Sequence, residues 1–272
     1  MFHIRKISSF DAPELAPYRT LRRSVEHQAQ GIFVAEGDKV VQRLLESCFP
    51  VVSVVLPENR LEEFRPLLAS RAEEITVYLA ERKFLVTLTG IELFQGVLAV
   101  GKIPGRLSLD QLLAQSPSPK LFAAVDGLTN AENIGLLVRN CAAFGAQGLI
   151  VGETCSSPFL RRAVRNSMGA IFQLPVVEKA SLVQSLRELR SRGIRCIAAH
   201  PHTDKKNLSQ ADFKTDCCIV FGSEGSGISV AALAACDEAV AIPMPPKIDS
   251  LNVSAAAAVF LYEVNRQRTE IV

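Results

Sequence analysis

The sequence predicts an α/β protein in two parts, a small alternating α/β unit followed by a larger unit built on an open parallel sheet. Three observations carry that expectation. Short apolar runs recur along the 272 residues, separated by segments of helical periodicity. The runs of the second half lack polar alternation, as strands buried on both faces do. The stretch IPGRLSLDQLLAQSPSPK at 103–120 gathers Pro, Gly and Ser around a short apolar segment, which suits a linker between 1–102 and 121–272.

In chain order, GIFVAEG (31–37), VVSVVLP (51–57) and EITVYLA (74–80) read as strands, and the segments DKVVQRLLES and RLEEFRPLLASR between them read as helices. GVLAVGK (96–102) closes this first unit. Downstream, LFAAVD (121–126), GLIV (148–151), IRCIAAH (194–200), CIVFG (218–222) and AVAIP (239–243) are the expected parallel strands. The helix SLVQSLRELRSRG has legible ends. Ser181 is placed to cap it, Leu182, Leu186 and Leu189 share a face, and Gly193 ends it. In such sheets ligands bind beyond the carboxyl ends of the strands, so function belongs to the loops after 126, 200, 222 and 243.

Composition narrows the classes. With 48% apolar and 21% charged residues the chain can bury a core, and disorder is not expected. No apolar run approaches the roughly 20 residues of a membrane span, and the first residues lack a secretory signal. A cytoplasmic protein without a membrane partner is expected. Seven cysteines form no CxxC pair and only four histidines accompany them, so reduced thiols and no metal site are expected. A net charge of +2 does not by itself announce a nucleic-acid partner, and with 6% aromatics and no Trp extensive base stacking is disfavoured. Arginine is nonetheless clustered, at Arg19, Arg22 and Arg23 and at Arg161, Arg162 and Arg165, where each cluster also fits a solvated helix face.

Three loops carry chemistry. In DGLTNAENIGLLVRNCAAFGA, Asn133 precedes a helix whose Ile134, Leu137, Val138 and Cys141 face the core, while Arg139 lies off that stripe with Leu136, Asn140 and Ala143. A guanidinium there suits a phosphate or a carboxylate, and equally a surface salt bridge. In FGSEGSGIS, Gly222, Gly225 and Gly227 flank Glu224 after a strand. This is neither a P-loop nor a GxGxxG pattern, and a plain turn explains it as well. In AIPMPPKIDSLNVSAAAAVFLYEVNRQR, three prolines precede an alanine-rich helix that Asp249 or Ser250 is placed to cap. Val253, Ala257, Phe260, Leu261 and Val264 form an apolar stripe suited to another helix, including one from a second subunit.

Taken in order, Asn-x-Gly-x-x-x-Arg at Asn133, Gly135 and Arg139, Gly-Ser-Glu-Gly-x-Gly at 222–227, and Ile-Pro-Met with Ser-Leu-Asn-Val-Ser at 242–254 resemble the signature motifs of the SpoU/TrmH RNA ribose methyltransferases, within the SPOUT superfamily. NSMGAIFQLPV at 166–176 is similar to that family's Ser-x-Gly-Ala segment. The resemblance covers about residues 121–268 and implies a parallel sheet tied in a deep trefoil knot, which ordinary chain-tracing rules reject. It implies S-adenosylmethionine held near Gly222, Ile242 and Leu251, with room left by the glycine, and with Ala199, His200 and Pro201 as another wall.

The implied reaction is methylation of a ribose 2′-hydroxyl in ribosomal or transfer RNA by a homodimer. Arg139 is the residue that the resemblance marks as catalytic. A guanidinium stays protonated to roughly pH 12, so Arg139 is expected to fix the target phosphate and stabilise developing alkoxide charge rather than act as a base. Glu224 then orients Arg139 or accepts the proton, while Asn133, Ser250 and Asn252 supply neutral hydrogen bonds. The first half is similar to the ribosomal-protein-like RNA-binding domain that precedes many SpoU domains. In that arrangement Arg19, Arg22 and Arg23, and with them Arg161, Arg162 and Arg165, meet phosphates, and binding weakens with salt. The chain departs from the family pattern at Asn130-Ala131, Leu136 and Pro245-Pro246, which bears on loop geometry. A knotted RNA-binding protein without catalysis is the main rival. A nucleotide-binding regulator is disfavoured because the phosphate-binding patterns fail.

Overall fold

A computed structural model describes residues 1–81, 85, 96–201 and 206–269. The chain forms two compact units, Met1–Gly105 with Pro158–Gln173, and Arg106–Ser157 with Leu174–Val272.

The first unit holds a mixed sheet of β1 (Phe2–Lys6), β2 (Ile32–Glu36), β3 (Val51–Leu56), β4 (Ile75–Leu79) and β5 (Leu98–Lys102), in the order β1-β4-β3-β5-β2. β4 runs parallel to β1 and β3, while β5 is antiparallel to β3 and β2. Four of these strands follow the apolar runs of the sequence. β1 escapes that pattern because it is an edge strand held by β4, with four of its five residues exposed. Among the described residues its helices include α1 (Ala16–Arg19), α2 (Ser24–Ala29), α3 (Asp38–Glu46) and α4 (Leu61–Ala69). α3 buries Val40, Val41, Leu44 and Leu45, one face of a 3.6-residue repeat.

Residues 158–173, which the sequence places with the second half, cluster with this first unit. Their α7 (Arg161–Asn166) packs on β2. Aromatic packing holds the segment: Phe172 lies 5.6 Å from Phe33 and 5.4 Å from Phe49 between ring centroids, and Phe159 lies 5.9 Å from Phe33.

The second unit is the expected parallel sheet. β6 (Leu121–Val125), β7 (Gly148–Gly152), β8 (Val176–Ala180), β9 (Arg195–Ala199), β10 (Cys217–Phe221) and β11 (Glu238–Val240) lie in the order β11-β9-β10-β6-β7-β8, every pairing parallel. The chain runs outward from β6 to β8, crosses to β9, and then inserts β10 between β9 and β6. The stretch expected as a linker contains α5 (Leu109–Gln115), closed by a capping box of Ser108 and Gln111. Leu109, Leu112 and Leu113 share one helical face and join the core of this unit.

Among the described residues the unit also holds the α-helices α6 (Ala131–Ala143), α8 (Leu182–Ser191), α9 (Val230–Ala234) and α10 (Val253–Thr269). α10 packs along α6. The apolar stripe of α10 is thereby corrected: Val253, Ala257, Phe260, Leu261 and Val264 are buried within the chain and offer no face to a second subunit. At the far end Arg268 donates to the carbonyls of Pro119 (2.8 Å), Lys120 (2.9 Å), Phe213 (2.9 Å) and Thr215 (2.7 Å), stapling the helix to the chain that enters β6 and β10. The cysteines in this core behave as small apolar side chains, and burial pushes the thiols of Cys141 and Cys236 up to about 12.

Candidate active site

At the carboxyl ends of β9 and β10 lies a cavity of about 340 Å³. Three segments wall it: Ala199, His200 and Pro201 after β9, the 222–228 loop after β10, and Ile242, Met244 and Asp249–Leu251 after β11. Phe221, Val253 and Phe260 form its apolar floor. All four residues expected to hold a cofactor, Ala199, Gly222, Ile242 and Leu251, line this one cavity.

The loop after β10 folds back on itself. Ser223 N–H donates to the Gly227 carbonyl at 3.1 Å and Gly227 N–H donates to the Ser223 carbonyl at 3.0 Å, with Gly227 at φ +67°. A Cβ on Gly222 would stand 2.1 Å from the Gly227 carbonyl carbon and 2.3 Å from the Ile228 nitrogen. The glycine is therefore demanded by its own backbone. The Asp126 carboxylate, at the end of β6, accepts from Ser229 N–H at 2.8 Å and anchors the far side of the loop.

Helix ends position the polar residues. α6 begins at Ala131, capped by Asn130, whose side chain accepts from the N–H groups of Glu132 (2.8 Å) and Asn133 (3.4 Å). Asn133 therefore sits inside the first turn, buried, rather than preceding the helix. Likewise α10 is capped by neither Asp249 nor Ser250. Asn252 does so, its carbonyl accepting from Ala256 N–H at 2.9 Å and its Oδ1 from Ser254 N–H at 2.9 Å.

These caps bring three separate motifs together. Asn252 Nδ2 donates to Asn133 Oδ1 at 3.1 Å and also to Glu224 Oε1. Glu224 is thus engaged by Asn252, and among the described residues it has no ion pair with Arg139. Ser250 and Glu224 line the cavity, whereas Asn133 and Asn252 stand behind Glu224. Arg139 is exposed on α6, with no hydrogen-bond or ion-pair partner among the described residues. Sequence reasoning did not single out Phe221, Ile228, Met244 or Val253 as cavity walls, although Met244 and Val253 lie within the motifs it did and Phe221 and Ile228 adjoin one.

The arginine clusters belong to the first unit. Arg19, Arg22 and Arg23 are exposed, Arg19 lying 3.7 Å from Asp11 and Arg23 3.6 Å from Glu26. Such surface pairs are worth about 0–1 kcal/mol and compete weakly with other anions. Arg161 and Arg165 instead hold the buried Glu36, Arg165 at 2.9 Å, and Arg161 Nε donates to the Leu21 carbonyl at 3.1 Å. Arg162 is exposed.

Comparison with known proteins agrees with this geometry. Residues 120–262 match the SpoU rRNA Methylase family. A tRNA/rRNA methyltransferase of Mycobacterium tuberculosis, itself uncharacterized, is 32% identical over 271 residues, spanning 97% of this chain and 92% of the relative. The 23S rRNA (guanosine-2'-O-)-methyltransferase RlmB of Ralstonia nicotianae is 32% identical over 215 residues, 79% of this chain and 85% of its own length. The crystal structure of the SpoU methyltransferase AviRb from Streptomyces viridochromogenes in complex with AdoMet superposes with a TM-score of 0.83 at 27% identity, over 95% of this chain and 98% of that one.

Proposed function

The chain belongs to the SpoU family of S-adenosylmethionine-dependent RNA methyltransferases, and from that premise we propose that it methylates a ribose 2′-hydroxyl in ribosomal or transfer RNA. The observation that carries the reading is the meeting of Asn133, Glu224 and Asn252, from three motifs, against a cavity walled by Ala199, Gly222, Ile242 and Leu251. RlmB, a 2'-O-methyltransferase by name, supports the ribose as the target.

The cavity suits S-adenosylmethionine. Its volume of about 340 Å³ falls in the small-molecule range, Phe221, Ile228, Ile242 and Leu251 present apolar surface to an adenine, and Asp249 and Ser250 present polar groups. When bound, the cofactor supplies an activated methyl group. The residues of the chain supply the rest. A neutral hydroxyl is a poor nucleophile, so its proton must leave as the oxygen attacks. Glu224 Oε1 accepts from Asn252, which leaves Oε2 to take that proton. Arg139, exposed on α6, holds the target phosphate with its guanidinium and stabilises negative charge growing on the ribose oxygen. Ser250 orients the ribose by a neutral hydrogen bond.

The finer architecture belongs to the same proposal. The segment from β10 through α10 threads the deep trefoil knot of SPOUT proteins, and the enzyme works as a homodimer. The first unit is an RNA-binding domain whose exposed Arg19, Arg22, Arg23 and Arg162 meet backbone phosphates, and Arg161 and Arg165 do so only while holding Glu36.

The test is incubation of the purified chain with labelled S-adenosylmethionine and total RNA, followed by mapping of ribose methylation as gaps in alkaline cleavage. Label on a base, with no cleavage gap, would sink the ribose assignment.

A further inference from the structure

Asn133 and Asn140 stand seven residues apart on α6, nearly two turns, so both face the start of α10. Asn140 Nδ2 donates to the Ser254 carbonyl at 2.6 Å. Ser254 in turn donates its N–H (2.9 Å) and its hydroxyl (2.5 Å) to Asn252 Oδ1. A backbone N–H can only donate, so Asn252 must turn its oxygen toward Ser254 and its amide nitrogen toward Asn133 and Glu224. The direction of every bond is thereby determined along the whole path.

Packing alone does not require this bond. α10 is already seated by Val253, Ala257, Phe260, Leu261 and Val264, apolar contacts that carry no direction of their own. Two directional bonds cross it at the first turn, Asn252 to Asn133 and Asn140 to Ser254, and the second fixes the backbone on which the Asn252 side chain rests. We infer that Asn140 is a positioning residue for methyl transfer: acting through Ser254 it holds Asn252, and Asn252 holds Glu224. The inference rests on the roles proposed above for Asn252 and Glu224. Asn140 itself does not line the cavity.

A double-mutant cycle tests it, using the full chain with labelled S-adenosylmethionine and RNA. Asn140→Ala is expected to lower kcat by about tenfold or more, with the KM for RNA and the Kd for S-adenosylmethionine changed by less than about twofold. In an Asn252→Ala background the same substitution is expected to lower kcat no further. If Asn140→Ala fails to fold, Asn140→Asp, which keeps the shape but cannot donate, carries the cycle. An unchanged kcat, or an equal drop in the Asn252→Ala background, overturns the inference while leaving the ribose-methylation reading intact. Absence of methyl transfer by the unmodified chain overturns both.

Discussion

The Glu36 carboxylate on β2, 1% exposed, is held by Arg161, which lies 125 positions further along the chain. Arg165 completes the pair from the next turn of α7. Removing the sole partner of a buried charge costs about 3–5 kcal/mol. Arg161→Ala leaves Glu36 with Arg165 and so should lower the urea midpoint measurably but by less than that full cost, while Glu36→Gln should lower it less still. An Arg161 that only met RNA would leave the unfolding curve unchanged, so chemical denaturation without RNA separates the two roles.

Arg139 presents the opposite case. It is exposed and makes no bond among the described residues, so Arg139→Ala should leave the melting temperature within about a degree or two. Methyl transfer should fall by about 100-fold or more, the size of effect seen when a charge-stabilising donor is lost. Calorimetric titration with S-adenosylmethionine should be unaltered. Retained turnover would remove Arg139 from the reaction.

Two glycines of one loop should respond differently. A methyl at Gly222 would collide with the backbone of Gly227 and Ile228, whereas a Cβ at Gly225 meets nothing within 4 Å. Gly222→Ala should weaken S-adenosylmethionine binding by more than about tenfold, because the 223–227 loop can no longer close. Gly225→Ala should bind within about twofold of the unmodified chain. Equal affinities for the two variants would show that loop closure does not shape the cavity.

His27 links the first unit to pH. Thr20 Oγ1 donates to the Ala16 carbonyl at 2.8 Å and so accepts from His27 Nε2–H at 2.9 Å, while the buried Nδ1 has no partner among the described residues. Burial, opposed by Glu26 and aided by Arg161, pulls the imidazole below its usual 6.5. Below that value the unfolded chain binds a proton that the folded chain refuses. Stability should fall as the pH drops from 6.5 toward the folded value, and level off below it. His27→Gln should flatten this slope in denaturation curves at pH 7.5 and 5.5. An identical pH dependence in both proteins would rule His27 out as its source.

Much of the molecule was legible in local pattern. The parallel strands of the second unit announced themselves as apolar runs without alternation, and three of the four cavity residues, Gly222, Ile242 and Leu251, lay in the ordered motifs. β1 was not legible, because an edge strand with exposed side chains has no apolar signature. Nor were the caps. Asn130 and Asn252 each stood among several residues able to cap, and only the backbone geometry selected them.

The sequence by itself determined the α/β class, the parallel sheet and the identity of the motif residues, since each depends on spacings of one to eight positions. Tertiary structure alone decided which of those residues meet. Asn252 finds Glu224 across 28 positions and Asn133 across 119, and Arg161 finds Glu36 across 125. Residues 158–173 joined the first unit, and Glu224 was held by Asn252 rather than by Arg139. Such meetings depend on how strands and helices stack in space, and local periodicity carries no record of that stacking.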